Sequence, residues 1–160
     1  MRASAPSARA LELVDVAGER VGTHEIERAM LDACRRAHAE AVDFTVAPRS
    51  PSSEEPRGGH DWLVEFAEPP RLPLAAFARL LDDAVQILNA DYRARRRGAG
   101  MMPPRLIELP AGTFYRWKRW AGRPLGDAAM PRVANDRTVA DALIELAAQP
   151  FCGSLIIATA

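Results

Sequence analysis

Apolar residues along this chain repeat every second position in some segments and every third or fourth in others, with prolines and glycines between the two kinds. A period of two belongs to a half-buried strand and a period near 3.6 to an amphipathic helix, so this alternation constrains the fold more than any single motif. Residues 11–16 alternate and predict a strand, and 18–22 follow as a turn with a short extended piece. Thr23 can then cap a helix running to about residue 40. Glu25 and Glu27 suit the positive end of its dipole, and Ile26, Met30, Ala33 and Ala37 keep one face apolar. Residues 42–47 alternate again as a strand. Residues 48–59, with Pro48, Pro51 and Pro56, read as a loop. Residues 61–67 are the next strand, with Trp62, Val64 and Phe66 on one face. Past Pro73 comes the longest helix, 74–97, where Leu74, Phe77, Leu81, Ala84, Leu88 and Tyr92 recur at three- and four-residue steps. Pro103 and Pro104 block its continuation. Residues 105–109 and 113–117 read as the last strands, and 138–149 as a last helix. This order predicts an α+β fold, a mostly antiparallel sheet with helices packed on one face. Residues 1–10 read as a disordered arm, 11–150 as the folded domain and 151–160 as an apolar tail.

Composition removes several classes. Lys+Arg and Asp+Glu are both 21, so the net charge is zero, which argues against a dedicated nucleic-acid binder. Lys118 is the only lysine. The C-terminal uncharged stretch, 146–160, is too short to span a bilayer and contains Pro150 and Gly153. Residues 1–10 lack the apolar run of a secretory signal. Cys34 and Cys152 are too few for a disulfide scaffold. A cytoplasmic protein with reduced thiols is expected.

Three constellations bear on chemistry. Cys34 and His38 stand four residues apart on a helix, but a metal site needs three or four ligands and no second pair is nearby, so no metal is expected. Arg93, Arg95, Arg96 and Arg97 end the long helix. They either complement its negative C-terminus or contact phosphate. Tyr115, Trp117 and Trp120 alternate with Arg116, Lys118 and Arg119, as in a half-buried strand or, less commonly, a base-stacking one. There is no Gly-rich Lys-Ser/Thr phosphate loop and no Gly-x-Ser-x-Gly turn.

Five segments, in order, carry a resemblance. They are Val14-Asp15-Val16-Ala17-Gly18-Glu19-Arg20, His60-Asp61-Trp62-Leu63-Val64-Glu65-Phe66, Asn89-Ala90-Asp91-Tyr92 with the arginines after it, Ala111-Gly112-Thr113-Phe114, and Met130-Pro131-Arg132-Val133-Ala134-Asn135-Asp136-Arg137. Together they resemble the C-terminal domain of the Gretchen Hagen (auxin-responsive promoter) acyl-acid amido synthetases, in the form that bacterial members carry. The resemblance implies the small mobile domain of an adenylate-forming enzyme. Such an enzyme activates a carboxylic acid with ATP and then forms an amide with an amino acid. The large domain, which holds ATP and most of the acyl pocket, is not represented. ATP and Mg would therefore enter only through a separately encoded adenylation domain, the implied partner.

The resemblance also assigns residues. Asp15, Gly18, Glu19 and Arg20 match the hinge that opens the domain, with Arg20 where the family has Lys. Asp127, Ala129, Arg132, Asn135 and Arg137 match the surface that closes over the active site. There Asp127 replaces a usual Gln, and Ala129 replaces the Lys that can offset charge developing on phosphate. No catalytic residue is expected in this chain. Two readings follow. One is a split-enzyme subunit or relic, inactive alone. The other is a non-catalytic binding module using the Arg-rich helix end or the aromatic strand to bind a protein or an acidic ligand.

Overall fold

The computed structural model describes residues 13–121, 130–149 and 156–160. The expected arm at 1–10, Asp127 and Ala129 lie outside them. Two short strands, β1 (Leu13–Val14) and β2 (Val21–Gly22), pair antiparallel around the hinge-like turn. Helix α1 (Thr23–Ala37) follows, with Gly22 rather than Thr23 at its N-cap and the Gly22 N–H donating to Glu25 Oε2 at 2.7 Å. β3 (Glu40–Arg49) and β4 (Gly59–Glu68) form a long antiparallel hairpin. The chain crosses over through α2 (Leu74–Leu88) and α3 (Ala90–Arg97) to β5 (Arg105–Glu108), which pairs parallel to β4. A parallel neighbour needs such a crossover. Helices α4 (Thr113–Trp120) and α5 (Thr138–Ala147) precede β6 (Ile156–Thr159), antiparallel to β5. The sheet order is β3-β4-β5-β6.

The α+β class and the mostly antiparallel sheet stand, but the helices cover both faces instead of one. Phe44, Val46, Trp62, Val64 and Leu106 pack with α1 and α2. Ala47, Leu63 and Ile107, their neighbours in sequence, pack with Phe114 and Trp117 of α4 and with Ala140, Leu143 and Ala147 of α5. The unbroken apolar runs Trp62-Leu63-Val64 and Leu106-Ile107 are the sequence signature of strands buried on both sides.

Three other expectations change. Residues 113–117 are helical: Gly112 turns the chain with φ 87°, and Phe114 and Trp117, three residues apart, are buried. Tyr115 and Trp120 are 52% and 72% exposed, so the aromatics follow a helical period and make no aromatic strand. The helix expected over 74–97 breaks at Asn89, which is extended (φ −134°, ψ 111°) and whose Oδ1 accepts the Tyr92 N–H at 2.8 Å. Asn caps the second helix more favourably than it continues the first. Ile156–Thr159, within the expected apolar tail, is a strand of the sheet, while Phe151 and Cys152 lie outside the described residues.

Leu81 is fully buried among the residues of the first core, whereas Leu88 and Phe66 are only half-buried and Ile87 is exposed. Leu81→Ala should therefore cost about 2–5 kcal/mol, and Ile87→Ala under about 0.5 kcal/mol, as at exposed sites. Urea unfolding of both variants checks this, and equal midpoints would show that the apolar face of α2 is misplaced.

Candidate functional site

The hinge-like turn is built around one buried carboxylate. Glu19 Oε1 accepts the Val16 N–H and Oε2 the Ala17 N–H, each at 2.7 Å. His60 Nε2 meets Oε1 at 2.7 Å. Both side chains are buried, and His60 Nδ1 has no partner among the described residues. Burial would raise the Glu19 carboxyl, but the His60 hydrogen bond and the Ala17 N–H outweigh it and hold the group at about 2. The turn needs positive φ at Gly18 (90°) and Arg20 (45°). Gly18 suits this because it lacks a Cβ, which would also sit 3.1 Å from the Arg95 guanidinium. Asn89 Nδ2 donates to the Arg20 carbonyl at 3.3 Å. Three of the five sequence segments therefore converge beneath this turn.

A fourth segment reaches it along the sheet edge. Residues 131–134 run beside β3: the Val46 N–H donates to the Arg132 carbonyl at 2.8 Å, and the Ala134 N–H donates to the Val46 carbonyl at 3.1 Å. Asn135 Oδ1 then accepts the Asp15 N–H at 3.1 Å, joining the two segments that sequence assigned to hinge and closing surface. Asn135 and Arg20 are exposed, Asp15 is half-buried and Glu19 lies wholly inside.

The two arginines of this segment face inward to acids. Arg132 pairs with Asp43 and Glu27, donates to the Phe44 carbonyl at 3.0 Å and lies over the Phe44 ring. Asp43 also takes Lys118 Nζ at 3.2 Å. Arg137 pairs with Asp61 at 2.8 Å and Asp141 at 3.1 Å, and donates to the Pro48 carbonyl. Sequence reasoning missed Asp43 and Asp61. The available signal was an acid inside each otherwise apolar strand, Asp43 in 42–47 and Asp61 in 61–67, on the face also bearing Thr45 and Leu63.

The other constellations have internal duties. Arg96 clamps Asp82 through Nε and Nη2 at 2.9 Å, and Tyr92 OH donates to the same carboxylate at 2.7 Å. Arg93 donates to the Gln86 carbonyl. Cys34 Sγ contacts Met30 Sδ, and His38 ends α1 in the left-handed conformation. Among the described residues no three metal-ligating side chains converge, and no helix is long and apolar enough to cross a membrane.

Comparison with known proteins bears on this arrangement. A family model described as the GH3 family C-terminal domain matches residues 24–138. The match begins just after the hinge-like turn. The solved AtGH3.15 acyl acid amido synthetase in complex with 2,4-DB is similar at 14% identity and a TM-score of 0.66, covering 91% of this chain and 26% of that one. A GH3.15 acyl acid amido synthetase structure is similar at 14% identity and a TM-score of 0.67, covering 91% and 27%. The chain thus spans about a quarter of the length of these structures, and the likeness is one of fold. No curated protein matches it.

The Glu19 carboxyl is lower in the folded chain than its ordinary 4.5, so it stabilises the fold above that pH. That stability drains away as pH falls from about 4.5 toward 2. Urea midpoints of wild type and Glu19→Gln should differ at pH 7 by an amount equivalent to at least about 2 kcal/mol. They should approach each other below pH 4. A difference that stays constant with pH would place the buried charge elsewhere.

Proposed function

The chain belongs to the GH3 family, as its C-terminal domain, and on that basis we propose that it is the mobile domain of an acid–amino acid ligase, working in the cytoplasm with an adenylation domain outside these 160 residues. A separately encoded adenylation domain is the partner of this reading. The carrying observation is the Asp15–Asn135 hydrogen bond, which joins the hinge-like turn to the 130–137 segment on one surface. In adenylate-forming enzymes such a domain closes over a site assembled elsewhere, excluding water and completing the contacts.

The residues of this domain do not by themselves fit Mg²⁺–ATP. The buried acids on this face of the sheet are already engaged, Asp43 and Asp61 by arginine or lysine and Glu65 by the Phe114 N–H, and are not gathered as oxygen ligands. In this reading ATP and Mg²⁺ bind on the adenylation domain. This chain contributes a pre-shaped surface: Glu19 fixes the turn, Asn135 links it to the sheet edge, and Arg20 and Asn135 stand exposed to the partner. Alone, the chain does not turn over.

A second reading, a binding module without catalysis, draws on α4. Tyr115 and Trp120 are exposed beside Arg119, whose guanidinium lies 6.0 Å from the Tyr115 ring. The arginine-rich end of α3 serves this reading less well, since Arg93 and Arg96 are engaged within the fold.

The purified chain should give no acid-dependent ATP–pyrophosphate exchange above a no-protein control across a carboxylic acid panel, and clear exchange would overturn its dependence on a partner. Affinity capture from the source organism should retrieve a protein carrying a large adenylation domain of about 350 residues. Arg20→Ala/Asn135→Ala should lower that capture at least several-fold. Equal capture would move the contact surface elsewhere, and capture of no such protein would leave the binding module as the better account.

A further inference from the structure

The far end of the same sheet holds a different feature. Asp61 of β4 is fully buried, and three arginines surround it. Its Oδ1 accepts from Arg49 Nη1 at 3.1 Å and Arg105 Nε at 2.8 Å. Its Oδ2 accepts from Arg105 Nη2 at 2.7 Å and Arg137 Nη1 at 2.8 Å. One carboxylate thus answers three guanidinium groups, leaving two half-buried positive charges over. Burial pushes the Arg49 guanidinium down, Asp61 opposes this, and the neighbouring Arg105 charge adds to it. The acids that would offset the excess lie at a solvated rim. Asp141 and Glu54 are exposed, and Glu55 pairs with exposed Arg57 at 3.7 Å. Water screens charges at such a rim far more than those beneath it.

These arginines open onto a cavity of about 600 Å³, where Arg49, Arg57, Arg105 and Arg137 face two carboxylates, Glu54 and Glu55, with Met102 and Thr159 also in the wall. That is within the range of small-molecule sites, roughly 300–1,000 Å³. Arg105 has spent Nε and Nη2 on Asp61, and Arg137 has spent Nε and Nη1. Among the described residues Nη1 of Arg105 and Nη2 of Arg137 make no hydrogen bond. Held rigid by Asp61, these forks keep donors in reserve with little entropy left to lose, the arrangement that favours tetrahedral oxyanions. Among the described residues no aromatic side chain lines the cavity, so its polar contacts are guanidinium, hydroxyl and carboxylate groups suited to phosphate oxygens rather than an aromatic slot for a base.

We infer that this cavity, at the end of the sheet between β3 and β5, binds compact, multiply charged phosphate anions, recognising the phosphates and not a nucleoside. The inference is independent of the proposed role with an adenylation domain, because the residues it rests on all belong to this chain.

Isothermal titration of the full chain with tripolyphosphate, and with ATP without Mg²⁺, tests it. Both should bind with affinities within about threefold of each other, since only phosphate is read. Arg137→Gln should weaken binding about tenfold or more, on the scale of one charge-assisted contact. Arg57→Gln and Glu54→Gln alter exposed side chains and leave the fold intact. The first should weaken binding and the second tighten it, each about threefold, through the ionic term. Amide NMR shifts on titration should centre on Met102 and Thr159. Absence of binding at millimolar tripolyphosphate would overturn the inference. So would unchanged affinity in both Arg57→Gln and Glu54→Gln, or ATP binding at least tenfold tighter than tripolyphosphate.

Discussion

Asp61 ties together four separate pieces of chain. Its own strand is β4, Arg49 closes β3, Arg105 opens β5, and Arg137 stands at the start of α5. Burying a carboxylate is costly unless every lone pair is met, and here each oxygen accepts twice. The arginines win over burial and keep the Asp61 carboxyl below its usual range. Removing one partner of such a group leaves a buried charge unmet, so the three arginines hold the ends of β3 and β5 and the start of α5 to one point of β4.

Asp43, on the same face of β3, does comparable work at the other end. It gathers Arg132 and the chain's only lysine, Lys118 of α4. That face of the sheet thus carries buried acids as anchors at both ends, Asp61 at one and Asp43 with Glu65 at the other, around an apolar cluster that includes Ala47, Leu63, Ile107, Phe114 and Trp117. The segment 131–137 is strung between the anchors, with Arg132 at one and Arg137 at the other, which explains how an irregular stretch of chain holds a defined course beside β3.

Much of this was legible in the sequence. Periodicity located both long strands, the first helix and the last, and the resemblance named the family. What escaped it has physical causes. The Thr113–Trp120 segment mixes aromatic and basic residues so that odd positions read as a strand face, yet burial selects Phe114 and Trp117 at a three-residue step. The apolar stripe of 74–92 continues through Asn89, so periodicity alone cannot show the cap that divides it. Helices on both faces were signalled by Trp62-Leu63-Val64, but the second layer combines α5 with α4, and α4 reads as a strand in the sequence. Among the site residues, Asp15 and Asn135 do come together. Glu19 turned out to hold the turn from inside, through a partner, His60, that lies 41 positions away and could not be paired with it from spacing.

The two margins of the sheet are unequal. Val46 spends its outward N–H and carbonyl on Arg132 and Ala134, so the β3 margin is already occupied by the chain's own backbone. The opposite margin is β6, four residues without a charge, in which Ile156 and Ile157 are about half exposed. Among the described residues nothing pairs with its outer side. An uncharged, unpaired margin accepts a further strand while a covered one refuses it, and the four-residue length of β6 limits how firmly it can do so. Self-association at high concentration would therefore proceed by strand addition at β6 and leave the surface around Asn135 untouched.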